Sequence, residues 1–150
     1  VRVLPLEVSE GMKVTAARVN GDNCEVFTAD SFRSNLLRQS GTAAFLVVPP
    51  RGLDAGQTYE VELENEGNVV RPAGRDVFFV GSRSNWYPRS GLSFARFDIA
   101  FTYPGHLDLV FPGELKEESK DGDYKVARRV TREPIRLAGF TCSTTEEPVE

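Results

Sequence analysis

Three features of this 150-residue sequence predict an all-β fold of mostly antiparallel strands, a β-sandwich or a curved open β-structure. Its apolar set favours β-branched and aromatic types, with 17 Val and 10 Phe against 2 Ile and 1 Met, and 9 Thr beside them. Thirteen Gly and nine Pro punctuate the chain. Apolar and polar residues also alternate over short stretches, which is the period of a half-buried strand. About eight to ten strands with almost no helix follow from this pattern.

Residues 1–11 read as an N-terminal extension. Met12 to Val19 is a plausible strand ending at Asn20-Gly21, a pair that tolerates the positive φ of a tight hairpin, and Cys24 to Thr28 is its expected return. Phe32 to Leu37 fits a short strand or one helical turn. Thr42 to Val48 is an apolar strand stopped by Pro49-Pro50, which lack two backbone donors. After a turn at Leu53 to Gln57, Tyr59, Val61 and Leu63 alternate with Glu60, Glu62 and Glu64, giving a strand with an acidic solvent face. Asp76 to Val80 is a further short strand. From Phe94 to Tyr103, Phe97, Ile99, Phe101 and Tyr103 point one way, and Arg96, Asp98, Ala100 and Thr102 the other. Leu107 to Glu118 and Tyr124 to Arg132 flank Asp121-Gly122, a hairpin cue. Ile135 to Phe140 is the expected last strand, and residues 141–150 read as an acidic tail or linker.

With 40% apolar and 27% charged residues, the length suits one domain over 12–140 with a sizeable core. A net charge of −4 and a pI near 5.2 argue against a generally basic nucleic-acid binder. The longest apolar run, Ala43 to Val48, is far short of the ~20 residues of a membrane span, so no membrane contact by this segment is expected. A start at Val1 suggests excision from a longer protein, so an export signal or anchor upstream stays open and the compartment is undetermined. Cys24 and Cys142 allow one bridge or two separate thiols, and their spacing does not choose.

Catalytic chemistry has little material here. His106 is the single histidine, HExxH is absent, and a self-contained zinc site therefore lacks ligands. His106 is expected to be an exposed turn residue beside Pro104-Gly105. Glu60, Glu62, Glu64 and Glu66 lie along one strand face without the convergence that calcium requires, so they read as a solvated face. No phosphate loop or dinucleotide motif occurs, so no cofactor is expected in this chain. The unusual stretch is Arg71 to Arg96, where Arg71, Arg75, Arg83, Arg89 and Arg96 meet one acid, Asp76, around Trp86 and Tyr87. Arginine pairs with carboxylates and stacks on rings, so Trp86, Tyr87 and Arg89 form a candidate interdomain or ligand face. The plainer alternative has Trp86 plugging a sheet edge.

The order of short motifs resembles the N-terminal β-domain of the gluzincin zinc aminopeptidases, the alanyl-aminopeptidase family. Ala44-Phe45-Leu46-Val47-Val48-Pro49-Pro50 leads through Leu53-Asp54-Ala55-Gly56 into a strand, as in the family's strand, proline and L-x-x-G turn. Asn85-Trp86-Tyr87-Pro88 is similar to its Trp-Phe/Tyr-Pro element. Phe97 to Pro104 is similar to the strand that follows, Leu109-Val110-Phe111-Pro112-Gly113 to its V-A-x-G segment, and Arg136 to Phe140 to the approach to the catalytic domain. The resemblance spans residues 12 to 140. Pro88 is followed by Arg89-Ser90-Gly91-Leu92-Ser93, where the family has an acid and a second proline, so no substrate-subsite role carries over.

The resemblance implies a saddle-shaped β-domain packing on a catalytic domain outside these residues. Zinc is expected only in that domain, which is the implied partner. The expected function is accordingly a non-catalytic accessory domain that shapes access to a neighbouring zinc-peptidase-like domain. The alternative is an independent β-sandwich module that binds carbohydrate or an extracellular protein through Trp86 and Tyr87.

Overall fold

A computed structural model describes residues 1–28, 31, 38–39, 42–91 and 93–144. The Phe32 to Leu37 segment, expected as strand or helical turn, lies outside the described residues, as do 145–150. The described residues form an all-β structure of fourteen strands, all paired antiparallel. This exceeds the expected count because pieces such as β3 (Asp22–Asn23), β4 (Glu25–Phe27) and β5 (Arg38–Gln39) are too short to display alternation. The strands run past both limits expected for the domain, from β1 (Leu4–Ser9) to β14 (Phe140–Ser143). They gather into two compact units, Val1–Val69 with Ser84–Gly91, and Val70–Arg83 with Leu92–Glu150.

In the first unit β1, placed in the sequence reading within an extension, pairs with β6 (Thr42–Val48), matching Leu4, Leu6 and Val8 to Val47, Phe45 and Ala43. β4 and β5 complete this sheet on β6. A second sheet sets β2 (Met12–Val19) between β3 and β7 (Val61–Gly67). Val8, Ala17, Val19, Phe45 and Val47 are the buried centre, with Met12, Val14 and Leu63 packed on it. Burial of a Val or Phe side chain contributes about 1.5–3 kcal/mol, so this cluster holds the two sheets face to face.

Met12 and Val14 are two apart, as are Ala17 and Val19, but the pairs differ in parity, and strict alternation would send one pair outward. A bulge between Val14 and Ala16 inserts Thr15 and restores both to the core. The hairpin after β2 is a two-residue loop with φ of 47° at Asn20 and 85° at Gly21, the type I′ pattern. Its return is not Cys24 to Thr28 as expected but β3, Asp22–Asn23; past Cys24 the chain joins the other sheet as β4, where Val26 meets Val47. On β7, Leu63 faces the core, whereas Val61 is exposed. Arg18 bonds the carboxylates of both Glu62 and Glu64, at 2.8 and 2.9 Å. The acidic strand face is solvated as expected, with one arginine clipped across it.

In the second unit, one sheet orders β11 (Asp108–Val110), β14, β9 (Val77–Val80) and β8 (Arg71–Gly74). The other orders β10 (Asp98–Pro104), β13 (Tyr124–Val130) and β12 (Glu114–Asp121). The alternation of β10 is as expected, with Phe101 and Tyr103 buried and Thr102 exposed. Phe101 packs its ring 5.3 Å from Phe111 and 5.2 Å from Phe140. Several element limits differ from those expected: the stretch expected as one strand from Leu107 to Glu118 is two, β11 and β12, and β13 ends at Val130 rather than Arg132. Asp76 has φ 55° and turns, so the strand begins at Val77. Between Phe94 and Asp98 the chain is not yet a strand of the sheet: Ala95 forms an isolated bridge to Ile135, and the Phe97 carbonyl accepts from Thr131 N at 2.9 Å. Asp121 is the last residue of β12, so Gly122, φ 58°, takes the first position of the two-residue loop.

The last strand starts at Phe140, where it was expected to end. Gly139 explains this. A Cβ there would lie 2.6 Å from the Val80 carbonyl oxygen and 2.7 Å from the Ser82 nitrogen, so the backbones press together before pairing begins. Cys24 and Cys142 are free thiols, both raised in pKa chiefly by burial.

β11 is an edge strand, and β13 closes it with side chains. Lys125 Nζ donates to the Leu107 carbonyl at 3.3 Å, and Arg129 Nη2 to the Leu109 carbonyl at 3.1 Å. The two cations stand four residues apart on one face of β13, and the two carbonyls two apart along β11 and its approach.

Gly139→Ala is expected to cost about 1–3 kcal/mol, as overpacking against fixed backbone does, read by urea unfolding; an unchanged midpoint would show that the close approach relaxes freely. The Arg18 guanidinium holds the Glu62 carboxyl below the ordinary carboxylate range, and Arg128 does the same for Asp98, each chiefly by a side-chain hydrogen bond. Any stability they contribute is therefore present above the ordinary carboxylate pKa and is lost as pH falls through the lowered values. In an NMR pH titration, Arg18→Gln should return Glu62 toward the ordinary range and leave Asp98 unmoved.

Candidate functional site

The stretch from Arg71 to Arg96 is divided between the two units. Trp86, Tyr87 and Arg89 lie in the first, on the 84–91 segment, whereas Arg71, Arg75, Arg83 and Arg96 belong to the second and are exposed. The 84–91 segment runs along the open edge of β1. Ser9 N donates to the Asn85 carbonyl at 2.8 Å, Glu7 N to the Arg89 carbonyl at 2.8 Å, and Arg89 N to the Glu7 carbonyl at 3.0 Å.

Between those anchors four residue steps on the segment span two on β1, so Trp86, Tyr87 and Pro88 bulge outward. Proline has no donor to give a ladder, which suits it to this place. Trp86 and Tyr87 pack edge to face, with ring centroids 5.0 Å apart and planes at 85°, and both are half-buried. Asn85 begins the bulge with φ 52° and is 3% exposed. Its short amide side chain tolerates the left-handed region better than most residues do.

Arg89 is turned toward its own unit. Its Nε lies 3.9 Å from a Glu7 carboxylate oxygen, and Nε and Nη1 are shielded from solvent without a hydrogen-bond partner. The sequence-predicted site is thus a segment that closes a sheet edge and carries two rings on its bulge. Sequence reasoning singled out these residues by type but gave no sign of their anchor, because Glu7 and Ser9 lie some eighty positions away.

A second surface was not anticipated. The register sets Val110, Thr141, Phe79 and Arg71 in one row across β11, β14, β9 and β8, on the face opposite Leu109, Cys142 and Phe78. Val110 is 68% exposed. Beside it a groove of about 510 Å³ is lined by Phe79, Val110, Phe111, Pro112 and Leu137 among others. The signal in the sequence was the unbroken Leu109-Val110-Phe111, which puts apolar residues on both faces of a short strand. Elsewhere in this unit, Arg136 lies 4.9 Å from the ring centre of Phe94, itself 63% exposed.

His106 is exposed in the turn after β10, as expected. Among the described residues no three of His, Cys, Asp and Glu come together to hold a metal ion, so they do not fit a zinc site.

Neither a family model nor a curated protein sequence matches the chain. Solved structures match its fold. An M1 zinc metallopeptidase from Deinococcus radiodurans aligns with TM-score 0.71 and 17% identity over 94% of this chain and 34% of its own. A variant of a two-domain M1 zinc metallopeptidase bound to L-arginine aligns with TM-score 0.73 and 16% identity over the same shares. Native yeast LTA4 hydrolase aligns with TM-score 0.63 and 12% identity over 98% of this chain and 24% of its own. The chain therefore has the fold of one part of M1 zinc metallopeptidases and spans about a quarter to a third of their length.

Asn85→Ala should destabilise the first unit by about 1–2 kcal/mol, the scale of left-handed strain in a residue with a Cβ and no polar side chain. Asn85→Gly should be the milder change. Chemical unfolding followed by the fluorescence of the single tryptophan, Trp86, checks the order; equal losses would remove backbone strain as the cause.

Proposed function

We propose that this chain is the non-catalytic N-terminal accessory domain of a larger zinc-metallopeptidase-like protein, where it packs on the catalytic domain and shapes access to it. The observation that carries the reading is the relation of lengths: nearly all of this chain aligns with about a third of a zinc metallopeptidase. The groove beside Val110 supports it, because an exposed valine at the lip of a mostly apolar groove is what a packed neighbour would cover. We assign Trp86, Tyr87 and Arg89 to the same role in the first unit. There the bulge carries the rings, and Arg89 fixes the bulge on Glu7. Chemistry, zinc and substrate belong to the parent protein, an active peptidase or an inactive relative.

The carbohydrate reading is weaker, since sugar stacking needs an open ring face and Trp86 and Tyr87 are half-buried against each other.

The full-length sequence is the first test, and an HExxH-bearing domain should follow this one; an unrelated neighbour would remove the proposal. With that domain supplied separately, Val110→Glu should weaken association at least about tenfold, as an uncompensated charge in an apolar contact does. The chain alone with added zinc should show no aminopeptidase turnover. Titration with glycans should leave Trp86 fluorescence unchanged, and a saturable change would favour the sugar-binding module.

A further inference from the structure

The two sheets of the second unit do not fill the space between them. A chamber of about 330 Å³ remains, walled by Phe101 and Tyr103 of β10, Leu109 of β11, Phe78 of β9, and Phe140 and Cys142 of β14. Its rim includes Val70 and Pro104, both exposed. The register makes these walls the inner faces of the sheets: Leu109, Cys142 and Phe78 form one row. Phe101, Tyr103, Leu109 and Cys142 are each no more than 9% exposed.

Protein interiors are packed at about 0.74 of their volume and seldom leave voids larger than a water. This one has the bulk volume of about ten waters at ~30 Å³ each. Water is a poor tenant, because each molecule needs two to four polar partners. Thr102, Tyr103 and Cys142 carry the only side-chain heteroatoms in the lining. An ion is worse still, since among the described residues no charged side chain lines the chamber and burial pushes the Cys142 thiol up.

We propose that this chamber is a binding site for a neutral, mostly apolar small molecule, an aromatic ring or branched alkyl group with its polar end directed to the rim at Val70 and Pro104. At interior packing density the volume holds about a dozen non-hydrogen atoms. The site is distinct from the docking surface proposed above: its walls are inner faces, whereas that surface centres on the outward-pointing Val110, and Phe140 borders both.

The probe is 3-phenylpropan-1-ol, a ring and short alkyl chain with one hydroxyl, titrated into the whole chain with methyl NMR as readout. Saturable shifts are expected at Val70, Leu107 and Leu109, with nuclear Overhauser contacts from the probe ring, while Val14 and Leu63 of the first unit stay still. The dissociation constant should be about millimolar or tighter for a ligand of this size, and the melting temperature should rise with probe concentration. Cys142→Leu, which fills the chamber from its wall, should weaken binding at least about fivefold. Shifts that do not saturate, shifts spread equally over both units, or a filled variant that binds as well would each overturn the proposal. If Cys142→Leu does not fold, the wild-type contacts decide: their absence at Leu107 and Leu109 overturns it as well.

Discussion

Narrow sheets must dispose of their edges, and that constraint governs this chain. Each sheet is three or four strands wide, so a large share of its strands leave backbone donors and acceptors on one side unpaired, a liability for solubility and specificity. Different pieces of sequence close different edges. The 84–91 segment hydrogen-bonds to β1, and Lys125 and Arg129 cap carbonyls beside and within β11. β12 carries Glu114, Lys116, Glu117, Glu118, Lys120 and Asp121, a charged edge unattractive to a further strand. The bulge, the arginine on Glu7 and the aromatic pair follow from the first of these closures.

What the sequence made legible was local. β2 and β6 have the limits that alternation and turn residues indicated, as does the inward set of β10. These depend on two-residue periodicity and on Asn20-Gly21, Pro49-Pro50 and Pro104-Gly105, all readable within a short window. What was not legible depends on partners far along the chain. Nothing near Cys24 says that the strand changes sheets there. Nothing near Gly139 says that Val80 lies against it and delays the last strand. Thr15 is an ordinary strand residue until β7 pairs across it and makes it the extra one. The candidate site divides in the same way: Trp86, Tyr87 and Arg89 stood out by type, whereas their attachment to Glu7 and Ser9, and the outward row through Val110 and Phe79, exist only in the register.

Among the described residues, several charged side chains form exposed ion pairs, such as Arg18 with Glu62 and Arg128 with Asp98, and Lys125 and Arg129 serve edge closure. Apolar surface gathers at the groove beside Val110 and at the chamber between the sheets of the second unit. The fold is one that solved structures place within longer metallopeptidase chains.

The closure of β1 also bears on the order in which the protein can form during synthesis. The first unit takes its edge from residues 84–91, and β8 and β9 of the second unit are encoded between that segment and the other strands of the first. Once residues 1–69 have been made, the sandwich core of Val8, Ala17, Val19, Phe45 and Val47 is present, with the edge of β1 bare. On the ribosome that edge stays open until residue 91 has emerged, by which time two strands of the second unit are outside as well and await β14. Neither unit can be completed on its own as the chain is made, and the interval between the two is when an unguarded β1 is available to a neighbouring chain.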